Sequence, residues 1–389
     1  MKMPGSFDAV IVGGGIVGCA TAASCARAGL RVAIVESDVI GGGATAAGMG
    51  HIVVMDDSEA QFALTRYSQQ LWAELATSLP RGAEYECPGT LWLAADDEEM
   101  AEAERKHRYY RERDVRAEII SANALLKLEA NLRPGLAGAL LVPEDAVIYP
   151  PVAALHLSRV ARERGATLFP GCTVREIGAG RIVLEDGREL DGRVVINATG
   201  AWAPELTGEI PVKKRKGHLV ITDRYPGFVR HQLVELGYLK SAHSVSSDSV
   251  AFNVQPRSTG QILIGSSRQY GNETAGVDQA MLTAMLARAA VYMPAIGQLK
   301  TIRVWTGFRA ATPDKLPLIG PMPHNQALWM ATGHEGLGIT TSLATGELIA
   351  AMLTGRQAAI STEPYLPARF MDLRNSQRSS KETLCNGKA

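Results

Sequence analysis

The fold is decided by residues 7–18, FDAVIVGGGIVG. The apolar, β-branched first half of this stretch predicts a buried parallel strand. Its second half carries the G-x-G-x-x-G spacing: Gly13 permits a tight turn, Gly15 lets backbone approach a pyrophosphate, and Gly18 lets the next helix pack on the strand. The helix, predicted from Ile16 to Ala28, would direct its N-terminal N–H groups at the phosphates.

A second predicted strand, Arg31–Val35, ends in Glu36. An acid about 20 residues beyond the glycines is placed to accept hydrogen bonds from the ribose hydroxyls of an adenosine. Glycine turns alone recur in many α/β proteins, and an ordinary βαβ turn is the alternative. Strand, glycines, helix, strand and acid together predict a dinucleotide-binding unit.

Length and composition narrow the class of protein. The 389 residues suffice for two domains, or for one domain interrupted by another. A hydrophobic share of 46% with 21% charged residues excludes disorder for the bulk of the chain. The 40 basic and 40 acidic residues balance, which argues against a nucleic-acid or polybasic membrane surface. Without a transmembrane-length apolar run or a signal-peptide pattern, we expect a cytoplasmic protein with no transmembrane segment.

The cysteines show no metal-site or disulfide pattern. Their positions are Cys19, Cys25, Cys87, Cys172 and Cys385. Since no C-x-x-C or Cys/His spacing is present, we expect no metal and interpret them as buried free thiols.

Three further segments stand out before the middle of the chain. Residues 41–51 are small and glycine-rich, which predicts a loop and short helix against a flat ligand, with Thr45 as the available hydroxyl; a flexible linker is the alternative. Residues 58–75 have helical periodicity. Residues 96–113 predict a charged helix with a solvent-exposed face, and the prolines at 150 and 151 predict a break.

The second half of the chain predicts alternating β-rich and nucleotide-unit segments. Strand-like runs with turns follow residue 165, and residues 194–202 predict a buried strand that ends in a small-residue turn. Residues 212–302 are β-rich with one helix near 278–292. A last strand at 327–332 leads into Gly333-His334-Glu335-Gly336-Leu337-Gly338-Ile339, which opens a final helix of small and apolar residues.

On these motifs the chain resembles the FAD-dependent D-amino-acid oxidase/glycine oxidase family over residues 6–360. The motifs are the Gly13–Glu36 unit, Gly43–Gly48, Asn197–Trp202, and a C-terminal pair at Gly307–Gly320 and Gly333–Gly338. Within the family, Gly48–His51 and His334–Gly338 look most like the β subunits of bacterial D-hydroxyproline and opine dehydrogenases.

The resemblance implies an α/β fold, with a Rossmann-like FAD-binding domain and a discontinuous, β-rich substrate domain. We expect the FAD-binding domain at 1–84, 145–210 and 305–371, and the substrate domain at 85–144 and 211–304. Residues 372–389 are polar and serine-rich, and we expect a disordered tail.

The resemblance also implies the residues that hold FAD. Val174 matches a backbone contact to adenine, and the loop before the last helix would place backbone N–H groups beside the flavin ring. The expected cofactor residues are Gly13, Gly14, Gly15, Ile16, Val17, Glu36, Ser37, Gly43, Ala44, Thr45, Gly48, Met49, Val174, Ala198, Thr199, Gly200, Trp202, Gly307, Arg309, His334, Glu335, Gly336, Leu337, Gly338 and Ile339.

For the substrate, Arg309 matches the arginine of the family's Gly-Leu-Arg-Pro segment, which binds a carboxylate. A structural salt bridge to Asp314 is the alternative. The family's usual tyrosine is replaced within residues 252–255, so Asn253 or a tyrosine from another segment is expected to complete the clamp. Met49 and His51 complete the expected substrate-binding set, and Arg309 and His51 are the candidate catalytic residues.

The function implied is FAD-dependent dehydrogenation of a small D-amino or cyclic imino acid, of the D-proline or D-hydroxyproline type, by hydride transfer from Cα to flavin N5. An opine- or sarcosine-type secondary amine dehydrogenase β subunit with partner chains, and a glycine-oxidase-like oxidase, are alternatives. A flavin-binding assembly subunit without catalysis is an alternative from another class. Partner subunits or a homo-oligomer are both expected possibilities.

Overall fold

The computed structural model describes residues 2–208, 210–237 and 248–370. These residues divide into two compact units. Unit 1 contains the described residues of 2–42, 154–213 and 310–370, and unit 2 those of 43–153 and 214–309. Cys385 and the tail expected at 372–389 lie outside the described residues.

The strands and helices follow one another closely along the chain. The strands are β1 Lys2–Val12, β2 Val32–Glu36, β3 His51–Ile52, β4 Thr90–Ala94, β5 Glu118–Ser121, β6 Gly138–Val142, β7 Ala146–Val147, β8 Thr167–Pro170, β9 Val174–Ile177, β10 Arg181–Leu184, β11 Glu189–Asn197, β12 Lys213–Thr222, β13 Gln232–Glu235, β14 Ser249–Pro256, β15 Ile262–Arg268, β16 Thr301–Ala311, β17 Leu318–Met322 and β18 Asn325–Thr332. The helices are α1 Ile16–Arg27, α2 Gly43–Ala46, α3 Glu59–Ala76, α4 Asp97–Arg111, α5 Ala122–Leu128, α6 Pro150–Glu163, α7 Ala203–Thr207, α8 Gln279–Tyr292 and α9 Gly338–Thr354. Among the described residues, no helix combines the length and the apolar character needed to cross a membrane.

Unit 1 is built on a sheet with the order β17-β18-β11-β1-β2-β8. The strand β1 lies in parallel between β2 and β11, with Ala9 opposite both Val32 and Val194. Both neighbours and β8 run parallel, as expected when helical crossovers connect the strands. The strands β9, β10 and β11 form the expected antiparallel meander. The predicted Rossmann-like arrangement is confirmed.

The two main helices of unit 1 pack on each other through small residues. A Cβ added at Gly346 of α9 would lie 2.6 Å from the carbonyl oxygen of Ala20 in α1, so the backbones approach closely. The helix α9 ends as predicted, one residue after Leu353, and Gly355 caps it with a φ of 68°.

Unit 2 contains a second sheet, with the order β16-β12-β15-β14-β13-β4-β6-β5. One face packs against α8, where the rings of Phe252 and Tyr292 stack with their centroids 4.7 Å apart. Since strand side chains alternate, Asn253 and Gln255 of β14 point to the opposite face from Phe252 and Val254, which lie in the core. That opposite face carries the candidate residues of this unit.

The units differ from the expected domain boundaries. Residues 43–84, 145–153 and 305–309, expected in the FAD-binding domain, belong to unit 2, and residues 211–213, expected in the substrate domain, belong to unit 1. The reason is pairing within unit 2: the strand β3 pairs with β7, and the Gln69 side-chain amide donates to Asp145 Oδ1 at 2.9 Å. These contacts hold the segment after residue 43 to residues near 145, which a linear sequence pattern does not show.

The sequence predicted that the charged helix α4 has a solvent-exposed face, but one of its charged residues is buried. Lys106 is fully buried and forms an ion pair with Asp56, whose side chain is 2% exposed. The ammonium also lies 5.1 Å from the ring centroid of Trp92 and 5.4 Å from that of Tyr110. The lysine stem spans the apolar layer beneath the helix, and a buried carboxylate compensates the charge at its end.

Two smaller expectations are also corrected. Cys87 is exposed and Cys172 half-buried, whereas Cys19 and Cys25 are buried free thiols as expected. The prolines at 150 and 151 do not break the chain but begin α6, because the first helical turn requires no N–H hydrogen bond from them.

Candidate functional site

The glycine turn of unit 1 follows β1 directly. Gly13 has a φ of +109°, and a Cβ added there would lie 2.6 Å from the carbonyl oxygen of Ala198. A Cβ at Gly18 would lie 1.9 Å from the Gly13 carbonyl oxygen, which packs α1 onto the turn. Gly15 is the N-cap of α1 and offers no capping side chain to the first turn. The turn and the helix N-terminus form the cradle that a pyrophosphate requires.

The carboxylate of Glu36 lies beside this turn. Its Oε2 accepts a hydrogen bond from the Gly14 N–H at 2.6 Å, and its Oε1 accepts from the Asp38 N–H at 2.9 Å. The Ser37 hydroxyl donates to the same Oε1 at 3.2 Å. The Glu36 carbonyl accepts from Cys172 N at 2.9 Å, two residues before the predicted adenine contact, Val174. The expected ribose acceptor is therefore close to the expected phosphate cradle.

The end of β11 closes the other side of the turn. Ala198 donates its N–H to Val12 O at 2.8 Å. Asn197 Oδ1 accepts from the backbone and the hydroxyl of Thr199, at 3.1 and 2.7 Å. The hydroxyl of Thr332 in β18 donates a hydrogen bond to the Gly200 carbonyl at 2.8 Å. Side chains of two neighbouring strands thus fix the backbone of residues 197–200, while Trp202 is 36% exposed.

The loop that precedes α9 is held within unit 1. Glu335 has a φ of 51° and donates its N–H to Ala310 O at 2.8 Å. The ring of His334 is buried, and its Nε2 lies 3.0 Å from Thr345 Oγ1. Burial lowers the pKa of His334 to about 3, so the ring is neutral at pH 7 and cannot contribute a positive charge. The helix begins at Gly338, where the expected backbone N–H donors of residues 336–339 are located.

In unit 2, the small-residue stretch after residue 43 packs on the sheet. The segment 43–46 forms α2, in which Thr45 is buried. A Cβ at Gly307 would lie 2.4 Å from Ala47 Cβ, and one at Gly265 would lie 3.2 Å from Met49 Sδ. The Gln255 amide donates to Met49 O at 3.0 Å. The stretch therefore packs against Gly265 and Gly307 of the sheet, as a loop and short helix do, and is not a flexible linker.

His51 lies in β3, opposite Val147. Burial lowers the pKa of His51 to about 4, and a hydrogen bond with Gln255 opposes the shift without cancelling it. The imidazole is therefore neutral at pH 7. A neutral ring can accept or donate a hydrogen bond, but it does not supply a fixed cation for a substrate carboxylate.

Arg309 occupies the same sheet face, near the end of β16. Its Nη1 donates to the Ser267 carbonyl at 2.9 Å. A Cβ at Gly217 would lie 2.5 Å from Nη1 and 2.9 Å from Cζ, so the guanidinium is seated on that glycine. The alternative partner considered for Arg309, Asp314, instead forms an ion pair with Arg369 at 2.7 Å. The hydrogen bond to Ser267 and the contact with Gly217 therefore fix the orientation of the planar guanidinium of Arg309.

Asn253 is 7% exposed, and its Oδ1 has no hydrogen-bond partner within the described ranges of the chain. A buried amide oxygen without a partner is costly, and such atoms often bind a ligand or water. The structure supports a polar role for Asn253 on this face, where the family's tyrosine is absent.

A cavity of about 320 Å³ lies in unit 2 beside Met49. Tyr149 and Trp305 line it, and Arg257 lies over the Tyr149 ring at 4.6 Å while pairing with Glu84. Tyr149 is thus a tyrosine from another segment that contributes to a cavity in this unit.

Sequence reasoning missed four residues that organise this face: Gly217, His218, Gln255 and Ser267. Gln255 could have been found, since it lies two residues after Asn253 in an alternating strand. Gly217, His218 and Ser267 carry no local motif. Their role depends on the pairing of β12 with β15, which brings residues about 50 positions apart together.

Comparison with known proteins gives consistent matches over nearly the whole chain. Residues 8–352 match the family model described as FAD dependent oxidoreductase. A glycine oxidase from Pseudomonas aeruginosa is 30% identical over 385 residues, covering 92% of this chain and 98% of that protein. The crystal structure of glycine oxidase from Geobacillus kaustophilus matches with a TM-score of 0.83 and 26% identity, covering 93% and 98% of the two chains. An L-proline dehydrogenase from P. horikoshii matches with a TM-score of 0.85 and 25% identity, covering 95% and 98%.

Proposed function

Because this chain belongs to the FAD-dependent D-amino-acid oxidase/glycine oxidase family, we propose that it oxidises the C–N bond of a small amino or cyclic imino acid. The enzyme is an FAD-dependent oxidoreductase, and FAD is its cofactor. When bound, FAD supplies the two-electron acceptor for a hydride from the substrate Cα.

The residues of unit 1 fit this cofactor. Any side chain at Gly13 would collide with the Ala198 carbonyl, so the turn packs tightly against the end of β11. The N–H groups at the start of α1, after Gly15, suit a pyrophosphate. The carboxylate of Glu36, fixed by the Gly14 N–H, is a ready acceptor for ribose hydroxyls. These residues would hold the adenosine and diphosphate part of FAD.

The main support for the proposed substrate class is the fixed position of the Arg309 guanidinium. Its guanidinium is fixed by the Ser267 carbonyl and by Gly217, within a half-buried environment. A guanidinium in a defined orientation binds a carboxylate through two parallel hydrogen bonds, each worth about 1.5–3 kcal/mol when charged groups are involved. We propose that Arg309 holds the α-carboxylate of the bound substrate.

The neighbouring side chains suit an uncharged amine. Asn253 presents a buried amide oxygen that can accept an N–H of the substrate amine. His51 is neutral and Met49 is apolar, so neither adds a charge that would favour the protonated amine. Positioning and exclusion of water then account for the role of the protein, and no side chain is required as a base.

We propose a D-amino or cyclic imino acid of the proline type. The similarity to an L-proline dehydrogenase supports a cyclic substrate, and the similarity to glycine oxidases supports glycine or another small amine as the second candidate. The cytoplasmic location and the presence of partner subunits stay predictions.

The test is an anaerobic absorbance titration of the holoenzyme. The panel contains glycine, sarcosine, D-proline, L-proline and cis-4-hydroxy-D-proline. We expect one member of this panel to bleach the flavin band and Arg309→Met to raise the half-saturating concentration at least about tenfold, because a charged hydrogen-bond pair is lost.

Arg224→Met is the matched control, since Arg224 is an exposed arginine of unit 2 that does not line the cavity. This variant should bleach as the unmodified enzyme does. If no panel member bleaches the flavin, the amino-acid substrate is wrong. If Arg309→Met and Arg224→Met behave alike, the role of Arg309 is wrong.

A further inference from the structure

We infer that His218 and Ser267 are positioning residues that fix the orientation of Arg309 for carboxylate binding. The inference rests on the proposed function, because it assigns how the carboxylate-binding arginine is held. All three residues belong to unit 2, and His218 and Ser267 are fully buried. Neither residue is required by the proposed chemistry itself.

Ser267 connects the two sides of the arrangement. Its backbone carbonyl accepts from Arg309 Nη1 at 2.9 Å. Its hydroxyl oxygen accepts from the His218 backbone N–H at 2.9 Å and lies 2.8 Å from His218 Nδ1. The side chain of Ser267 therefore ties the strand β15 to β12 directly beside the carbonyl that receives the guanidinium.

The hydrogen bonds of His218 define its tautomer. Its Nε2 lies 3.0 Å from the backbone N–H of Asp278, which can only donate. The Nε2 atom must therefore accept and carries no proton, so a neutral ring has its proton on Nδ1 and donates it to the Ser267 hydroxyl oxygen. Burial lowers the pKa of His218, Lys216 and Arg309 lower it further, and the opposing effect of Asp278 is smaller than that of burial. A neutral imidazole is consistent with all of these surroundings.

The other end of this chain of hydrogen bonds is also fixed. Asp278 caps α8 through a hydrogen bond from the Met281 N–H to its Oδ1 at 3.1 Å. The buried ammonium of Lys216, two residues before His218, donates to the Gly276 carbonyl at 2.6 Å. It also donates to Asn272 Oδ1 at 3.3 Å. The segment that carries the Asp278 N–H is therefore anchored to β12, and His218 cannot shift without breaking several buried hydrogen bonds.

A connected path thus runs from the cap of α8 through His218 and Ser267 to Arg309. Its effect is geometric. A carboxylate can use two donors of a guanidinium only when the plane of the guanidinium faces it correctly, and the Ser267 carbonyl sets that plane. Loosening the carbonyl should weaken carboxylate binding while leaving the rate of the bound complex nearly unchanged.

The experiment compares Ser267→Ala with Ser158→Ala in the holoenzyme. Ser158 of α6 is a buried serine of unit 1, and its hydroxyl donates a hydrogen bond to the Leu155 carbonyl at 2.8 Å. Acetate is the carboxylate probe, and its dissociation constant is read from the perturbed flavin absorbance. KM and kcat are measured with D-proline, and the melting temperature is recorded for each variant.

For Ser267→Ala we expect roughly tenfold increases in the acetate dissociation constant and in KM, with kcat changed less than about threefold, as for loss of one buried hydrogen-bonding group. Ser267→Thr, which keeps the hydroxyl, should restore both constants. Ser158→Ala, which also removes one buried hydroxyl, should leave them unchanged. His218→Phe, which keeps a ring but removes both nitrogens, should reproduce Ser267→Ala and serves as the second variant if that protein does not fold.

Unchanged acetate binding in Ser267→Ala overturns the inference, as does an equal effect of Ser158→Ala or a fall in kcat at constant KM. The proposed function stands in those cases if Arg309→Met still abolishes acetate binding. If acetate does not bind the unmodified holoenzyme, or binds Arg309→Met equally well, the proposed carboxylate site itself is refuted.

Discussion

Substituting Gly217 by alanine tests the seat of Arg309 most directly. The added Cβ would lie 2.5 Å from Nη1 and 2.9 Å from Nη2 of Arg309. An ordinary contact requires about 3.5 Å, so the guanidinium must move by about 1 Å. A displacement of that size lengthens the hydrogen bond to Ser267 and tilts the donor plane. Losing one charged hydrogen bond of about 1.5–3 kcal/mol predicts a fall in kcat/KM of about 10- to 150-fold.

The assay is steady-state turnover with D-proline or whichever panel compound bleaches the flavin, together with the bound FAD per chain. Gly297→Ala is the control, since a Cβ there meets no atom within 4 Å. We expect Gly217→Ala to retain FAD and to lose kcat/KM, and Gly297→Ala to retain both. A Gly217→Ala enzyme with full kcat/KM would show that the guanidinium does not need this seat, and the argument for Arg309 would fail.

Three further outcomes follow from buried contacts. Gly13→Ala should lower the amount of FAD retained on purification at least several-fold, because the added Cβ would lie 2.6 Å from a backbone oxygen. The retained FAD is measured as the flavin-to-protein absorbance ratio, and full occupancy would contradict this prediction. Asp56→Asn should lower the free energy of unfolding, measured in denaturant titrations, by about 3–5 kcal/mol, because the buried ammonium of Lys106 loses its anion. The double variant that also carries Lys106→Met should recover most of this loss. Burial raises the pKa of Asp145 to about 7, above about 3.9 in the unfolded chain, so the folded state retains a proton that the unfolded state loses between about pH 4 and 7. The free energy of unfolding should therefore fall as pH rises through that window, and Asp145→Asn should remove this part of the slope.

The parts of the fold that depend on local pattern could be predicted from the sequence. The first strand, glycine turn, helix and acid all lie within 35 residues, and each step has a local signal. The final helix was also predictable, because its glycine-rich start and small apolar residues form one continuous stretch. In both cases the residues that decide the structure are neighbours in the chain.

The remainder depended on contacts between distant residues. The burial of Lys106 could not be predicted, because its partner Asp56 is 50 residues away and α4 otherwise has the composition of an exposed helix. The expected boundary between residues 84 and 85 differs from the division after residue 42 for the same reason, since β3 is only two residues long and pairs with β7 about 95 residues later. In the candidate site, Arg309 was identified by its family motif, but its partner Ser267 and its seat Gly217 required the strand order.

The contact between α1 and α9 has a consequence for how the protein is made. Arg27 of α1 pairs with Glu347 of α9 across 320 residues of sequence. During synthesis, α1 leaves the ribosome long before its packing partner exists, and the small residues of its inner face stay without their cover. Unit 1 can complete its core only when nearly the whole chain has been translated. Newly made chains should therefore pass through a stage in which the exposed apolar surface of α1 and its sheet can aggregate with other chains unless it is protected.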